Sequence, residues 1–140
     1  MKISRRFIAL VLFLHVFILA GFGHGGGFLA MTVWFVPDYV RSLSAGEINN
    51  LTDAALGIVG CLCLLGYILF LSSMLFKTQL RDRLYWIAVL VLCSSLVFVL
   101  YFSGPMMPYI PYLFILPFLV TAFWPAYFPL LKRCWQWALK

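Results

Sequence analysis

Apolar and polar positions in this chain segregate into blocks rather than alternate. Four apolar runs, 7–36, 54–76, 84–102 and 112–131, are separated by short stretches that hold most of the charged residues. Continuous apolar runs without a period of two predict helices rather than strands. A helix crosses the ~30 Å hydrocarbon core of a bilayer with about 20 residues, so the second, third and fourth runs each predict one crossing. The first run is too long for that, since a helix over 7–36 would measure about 45 Å at 1.5 Å per residue. It has to tilt, kink or leave the bilayer. The stretch GFGHGGGF marks the place, near 21–27, because each glycine weakens a helix by ~1 kcal/mol relative to alanine. The alternative is an unbroken helix in which Gly23 and Gly27, four residues apart, offer a flat surface to a neighbouring helix. On the second run Gly57 and Gly60, with Ala54 and Cys61, form a similar small-residue strip, expected to receive the first run's glycines.

Composition supports the membrane reading. The 140 residues are 65% hydrophobic, 19% aromatic and 10% charged, with a mean hydropathy of +1.05, whereas a soluble domain carries charge on about a quarter of its residues. The net charge of +6 would in a soluble chain suggest a nucleic-acid partner. Here the basic residues flank the apolar runs, so no nucleic acid is expected and the charge reads as topology. Lys2, Arg5 and Arg6 precede the first run, Lys77, Arg81 and Arg83 follow the second, and Lys132, Arg133 and Lys140 follow the fourth. Nine of the ten basic residues thus fall on one side and only Arg41 on the other. Because cytoplasmic loops are enriched in Lys and Arg, the chain is expected to be an all-α, four-span bundle forming a single domain, 1–140, with both termini cytoplasmic in a bacterial inner membrane. MKISRR followed by an apolar stretch and small residues near Ala20–Gly23 also resembles a signal peptide. Apolar character resumes after it, so a retained anchor is the reading preferred.

Candidate chemistry is sparse. His15 lies about 12 Å into the first run and His24 about 26 Å, near the outer interface. An imidazole in hydrocarbon is a functional candidate by default; its plain alternative is a neutral ring bonded to a neighbour. Nine residues apart, the two histidines face opposite sides of a regular helix and stand about 13.5 Å apart along it, so one straight helix cannot bring both to one metal. The cysteines Cys61, Cys63, Cys93 and Cys134 contain no CxxC pair, and buried free cysteine is expected. The acidic residues Asp38, Glu47, Asp53 and Asp82 all lie in loops or at run ends, which argues against a carboxylate-coupled exporter. Asn50 and Asp53 in NNLTD suit a helix start, with a binding role for Asp53 as the alternative, and SAGE at Ser44–Glu47 matches a capping box. A short amphipathic helix is therefore expected before the second run. In the fourth run Pro117, Pro125 and Pro129, with Thr121 between, recur every four residues. They free the carbonyls of Leu113, Thr121 and Pro125 and could line a polar groove.

WFVPDYVRSLSAGE, Trp34–Glu47, gives the one resemblance to a known family. A glycine-bearing first helix runs into V-P, a leucine follows six residues after Pro37, then A-G and a second long helix. Over His15–Phe76, about half the chain, this resembles the four-helix membrane family around transmembrane protein 205 and its uncharacterised bacterial relatives. The resemblance implies a four-helix bundle and carries no functional residue. With no catalytic triad, metal constellation or phosphate loop in the sequence, the leading expectation is a non-enzymatic membrane protein. It would assist a larger complex, through other subunits or self-association, or bind an apolar ligand such as a lipid or quinone. No cofactor is expected on that reading. The alternatives are a haem- or quinone-linked redox subunit using His15 or His24, and a small transporter or channel built on the proline stripe.

Overall fold

The computed structural model describes residues 3–22, 25–46, 51–102 and 110–138. In chain order these form α1 (Arg5–Val16), a hairpin of β1 (Leu19–Phe22) and β2 (Gly25–Phe28), a 3-10 segment (Leu29–Phe35), α2 (Val36–Ala45), α3 (Leu51–Leu75), α4 (Thr78–Phe102) and α5 (Ile110–Ala138). Among the described residues the architecture is helical apart from that hairpin, and three helices contain stretches long and apolar enough to cross a bilayer, Ala54–Leu75, Gln79–Tyr101 and Ile115–Lys132.

The first apolar run is neither one tilted helix nor one kinked at its glycines. Ser4 caps α1, its hydroxyl accepting from the Phe7 N–H at 3.2 Å, but the helix ends at Val16, before the first glycine is reached. The Phe17 N–H still bonds the Phe13 carbonyl, and the Ile18 N–H folds back to the His15 carbonyl at 3.1 Å. The chain then pairs with itself, Leu19 opposite Phe28, Ala20 opposite Gly27, Gly21 opposite Gly26 and Phe22 opposite Gly25. A bond from Leu29 N–H to Ile18 O at 2.7 Å closes the base. Among apolar groups each backbone N–H and C=O has to find a partner within the protein, and a glycine-rich segment that favours the helix poorly finds them by antiparallel pairing.

Contacts along α3 show where the two halves of the first run go. Phe7 stacks near Tyr85, and Tyr85 near Phe70. His15 meets Tyr67. A Cβ on Gly60 would meet the Thr32 carbonyl, and one on Gly57 would fall on the ring of Tyr39. These approaches climb α3 from Phe70 through Tyr67 and Gly60 to Gly57. Thus α1, and then the 3-10 segment with α2, run antiparallel to α3 as two half-length pieces, with the hairpin inserted between them. The strip on α3 does accept close neighbours, and these are Thr32, Val36 and Tyr39; Gly27 pairs with Ala20 instead.

Two boundaries also differ from the sequence expectation. The basic stretch after α3 is not a loop. Only Phe76 and Lys77 separate α3 from α4, and the Arg81 N–H already bonds the Lys77 carbonyl at 3.0 Å. Hydropathy marks where apolar residues begin, whereas Gln79, Leu80 and Arg81 are themselves good helix formers. The expected short helix before α3 is present as α2, but Ser44 is not its start. It lies in the last turn, donating to the Arg41 carbonyl at 2.7 Å, and Gly46 ends the helix in the left-handed region at φ 70°. That conformation is the one glycine adopts without steric penalty. Glu47 and Asn50 lie outside the described residues.

The long helices are apolar on both sides. Val59, Cys63, Phe70, Val89, Leu92, Val99 and Phe118 are buried among the helices, while Leu65, Ile68, Leu71, Leu90, Val97, Leu116 and Val120 are exposed. A helix that is hydrophobic all round belongs in a large core or in lipid. In a chain of 140 residues the second applies.

Candidate functional site

A buried polar cluster forms where the first run breaks. His15 closes the last turn of α1, on the same face as Ile8 and Val11, and all three are buried. Nothing of its side chain reaches the surface. Its Nδ1 lies 3.1 Å from the Tyr67 hydroxyl. The ring is held edge-on by two others, Tyr67 at 5.6 Å and 79° and Phe118 at 4.8 Å and 73° between centroids and planes. Tyr67 and Leu92, the residues that flank it on α3 and α4, lie near the middles of those helices.

The other members converge from three elements. Cys63, one turn from Tyr67 on α3, is fully buried and forms no disulfide. Its thiol lies within reach of the hydroxyls of Ser95 on α4, Thr32 on the 3-10 segment and Tyr67 itself. Thr32 donates to the Leu29 carbonyl at 2.7 Å, and Ser95 to the Leu92 carbonyl at 2.7 Å. Thr32 and Ser95 are buried. Each polar group is thereby partnered except one. The Nε2 of His15 has no hydrogen bond, although the Leu92 carbonyl approaches the ring without the geometry to satisfy it. A buried polar group left unmet costs on the order of 1–3 kcal/mol, which makes this nitrogen the chemically open point of the cluster; among the described residues Arg81 Nε and Asp82 Oδ1, at the start of α4, also lack a hydrogen bond.

A second feature lies one end further along. Tyr85 is fully buried, packed edge-on against Phe70 at 5.5 Å and Trp86 at 5.3 Å. Its hydroxyl donates to the Ala122 carbonyl at 2.6 Å. Ala122 belongs to the turn that precedes Pro125, where the missing proline N–H opens the helix. The proline stripe itself does not face one way: Pro117 and Pro129 are exposed, Thr121 half-buried and Pro125 buried. It therefore lines no single groove.

Of the residues that the sequence singled out, His15 lies in the cluster, while His24 and Gly23 lie outside the described residues. Gly27 pairs with Ala20 in the hairpin. Gly57 and Gly60 receive the 3-10 segment and α2, as above. Asp53 falls in the first turn of α3, remote in sequence from Tyr67. Among the described residues no three His, Cys, Asp or Glu side chains converge on one point. Sequence reasoning missed Tyr67, Thr32 and Ser95. The signal available for Tyr67 was its place in Gly60, Cys63 and Tyr67, which at three and then four residues apart share one helix face. Thr32 and Ser95 carried no such mark. Compared with protein-family models, with curated proteins and with solved structures, the chain matches none.

Proposed function

We propose that the chain is a non-enzymatic, multi-pass membrane protein that holds an apolar ligand with a polar head, such as a lipid or a quinone, against His15. The single observation that carries this is the unmet Nε2 of a fully enclosed imidazole. Ionisable residues in such surroundings mark ligand or ion sites, and irregular backbone at membrane depth occurs where it is buried in protein or lines a cavity. Split helices that meet at mid-depth build binding sites in transporters. Here the break presents a hydrogen-bonding nitrogen and aromatic walls, the chemistry of a carbonyl- or hydroxyl-bearing apolar molecule.

The threading belongs to the same proposal. The first run, in two pieces, makes the fourth crossing, and both termini face the cytoplasm of a bacterial inner membrane. The charge asymmetry supports this, as does the contact of Phe7 with Tyr85 at 6.2 Å, which brings the start of α1 to the end of the bundle where α3 joins α4. Service to a larger complex is compatible with the broad apolar faces that α5 leaves uncovered, among them Leu116, Val120, Phe128 and Leu131.

The imidazole is closed off by its neighbours, so a ligand that has parted those rings to reach it should dissociate slowly and survive purification. Protein isolated in an alkyl maltoside and extracted with organic solvent should yield a lipid or quinone at close to one molecule per chain, and His15→Leu should yield markedly less. A monomer that carries neither ligand nor partner, or a yield unchanged by His15→Leu, overturns the proposal.

A further inference from the structure

Resting on that ligand-holding reading, we propose that His15 offers its ligand an N–H at Nε2, so that the head group it accepts is a carbonyl oxygen, as in an oxidised quinone or an acyl ester. The argument is an inventory of protons. Thr32 and Ser95 each have one hydroxyl proton, and both are committed to carbonyls in their own elements, Leu29 and Leu92, at 2.7 Å. Their oxygens can then only accept. The thiol of Cys63, within reach of Thr32, Ser95 and Tyr67, has a weak donor for one of these oxygens and a poor acceptor in its sulfur. The Tyr67 proton has two destinations, that sulfur or the His15 Nδ1 at 3.1 Å. An imidazole nitrogen is much the better acceptor, so the phenol donates to Nδ1.

A neutral imidazole carries one proton, and the hydrogen bond made by one nitrogen fixes the state of the other. With Nδ1 accepting, the proton is on Nε2. That N–H makes no hydrogen bond of good geometry within the protein; the Leu92 carbonyl, which accepts from Ser95, approaches the ring without completing one. What completes the site is an acceptor. A quinol hydroxyl, whose own proton would find no acceptor on His15, fits less well than a quinone carbonyl. Haem iron fits worst, since it requires the Nε2 lone pair.

The test reads the tautomer and the ligand separately. A His24→Asn variant leaves one histidine to observe. In ¹⁵N-histidine-labelled, delipidated protein in an alkyl maltoside, the ring should show a proton on Nε2 and none on Nδ1, and Tyr67→Phe should populate the other tautomer. The same protein is then equilibrated with a short-chain alkyl benzoquinone, with its quinol, and with a diacyl phospholipid against its diether analogue. The quinone should bind more tightly than the quinol. Its binding should weaken about tenfold in His15→Leu and recover in His15→Gln, which restores an N–H donor. Preference for the diacyl over the diether lipid, with no binding of the quinone, assigns the same carbonyl chemistry to an ester. A proton on Nδ1, a Soret band on adding haem that disappears in His15→Leu, or failure to hold any carbonyl probe overturns the inference. The first two leave the broader reading standing, because the extraction yield with and without His15 decides that independently.

Discussion

The hydroxyl of Tyr85 has one proton, and at 2.6 Å it goes to the Ala122 carbonyl. In a regular helix that carbonyl would accept from an N–H four residues on, and a second donor would add little. Pro125 changes this, since its ring opens the turn in which Ala122 lies and a loosened carbonyl in apolar surroundings needs another donor. The bond therefore ties α4 to the turn of α5 that holds Pro125, and the two residues should be energetically coupled. Tyr85→Phe is expected to destabilise the protein by about 1 kcal/mol, the size of a lost buried hydrogen bond. The effect should shrink in a Pro125→Ala background, where the helix closes on itself. A double-mutant cycle by thermal unfolding in detergent measures the coupling; additive effects would show that the tyrosine serves some other end. This pairing was half legible beforehand. The prolines predicted freed carbonyls four residues back, but the donor found its target one position away, at Ala122, and nothing in a tyrosine within an apolar helix announces where its hydroxyl will point.

At the scale of elements, the glycines of α3 separate close packing from mere tolerance. A Cβ at Gly60 would meet the backbone carbonyl of Thr32, whereas one at Gly66 would meet the branched end of the buried Leu92 side chain. A leucine can repack, though in a closed core it has to move as a whole, whereas backbone cannot rotate out of the way. Gly60→Ala should therefore lower the unfolding temperature clearly, with a cost of roughly 1–3 kcal/mol from overpacking, and Gly66→Ala should cost less. If the two are alike, the 3-10 segment does not sit against α3 as described. Displacing that segment also moves Thr32, so Gly60→Ala is expected to reduce the amount of co-purified ligand as well. The small-residue strip on α3 could be read from the sequence because small residues have a direct steric meaning. Its partner could not. Glycines in the first run suggested either a break or a helix contact; Gly21, Gly25, Gly26 and Gly27 lie instead in strands where the backbone pairs with itself.

For the molecule as a whole, the helical class, the three long apolar helices and their approximate limits were legible, because in lipid the length of an apolar run and the length of a helix are set by the same thickness. His15 could be flagged for the same reason, as a polar group where none is cheap. Its surroundings could not, since Tyr67, Thr32 and Ser95 come from three elements brought together only by packing. The threading is where charge and fold make a joint claim. If the two half-length pieces of the first run amount to one crossing, the α3–α4 joint and the start of α1 share a side, and α2 lies on the other. In a variant lacking its four native cysteines, a single cysteine at position 41 should react in intact bacterial cells with a membrane-impermeant maleimide. One at position 77 should react only after the cells are lysed. Equal labelling of 41 and 77 in intact cells would mean that α3 does not cross. A cysteine at position 5, at the start of α1, should behave like the one at 77, and its labelling in intact cells as readily as position 41 would mean that α1 and the 3-10 segment turn back on the side they entered. The first run would then be a re-entrant loop, and the basic residues before it would no longer share a compartment with Lys77.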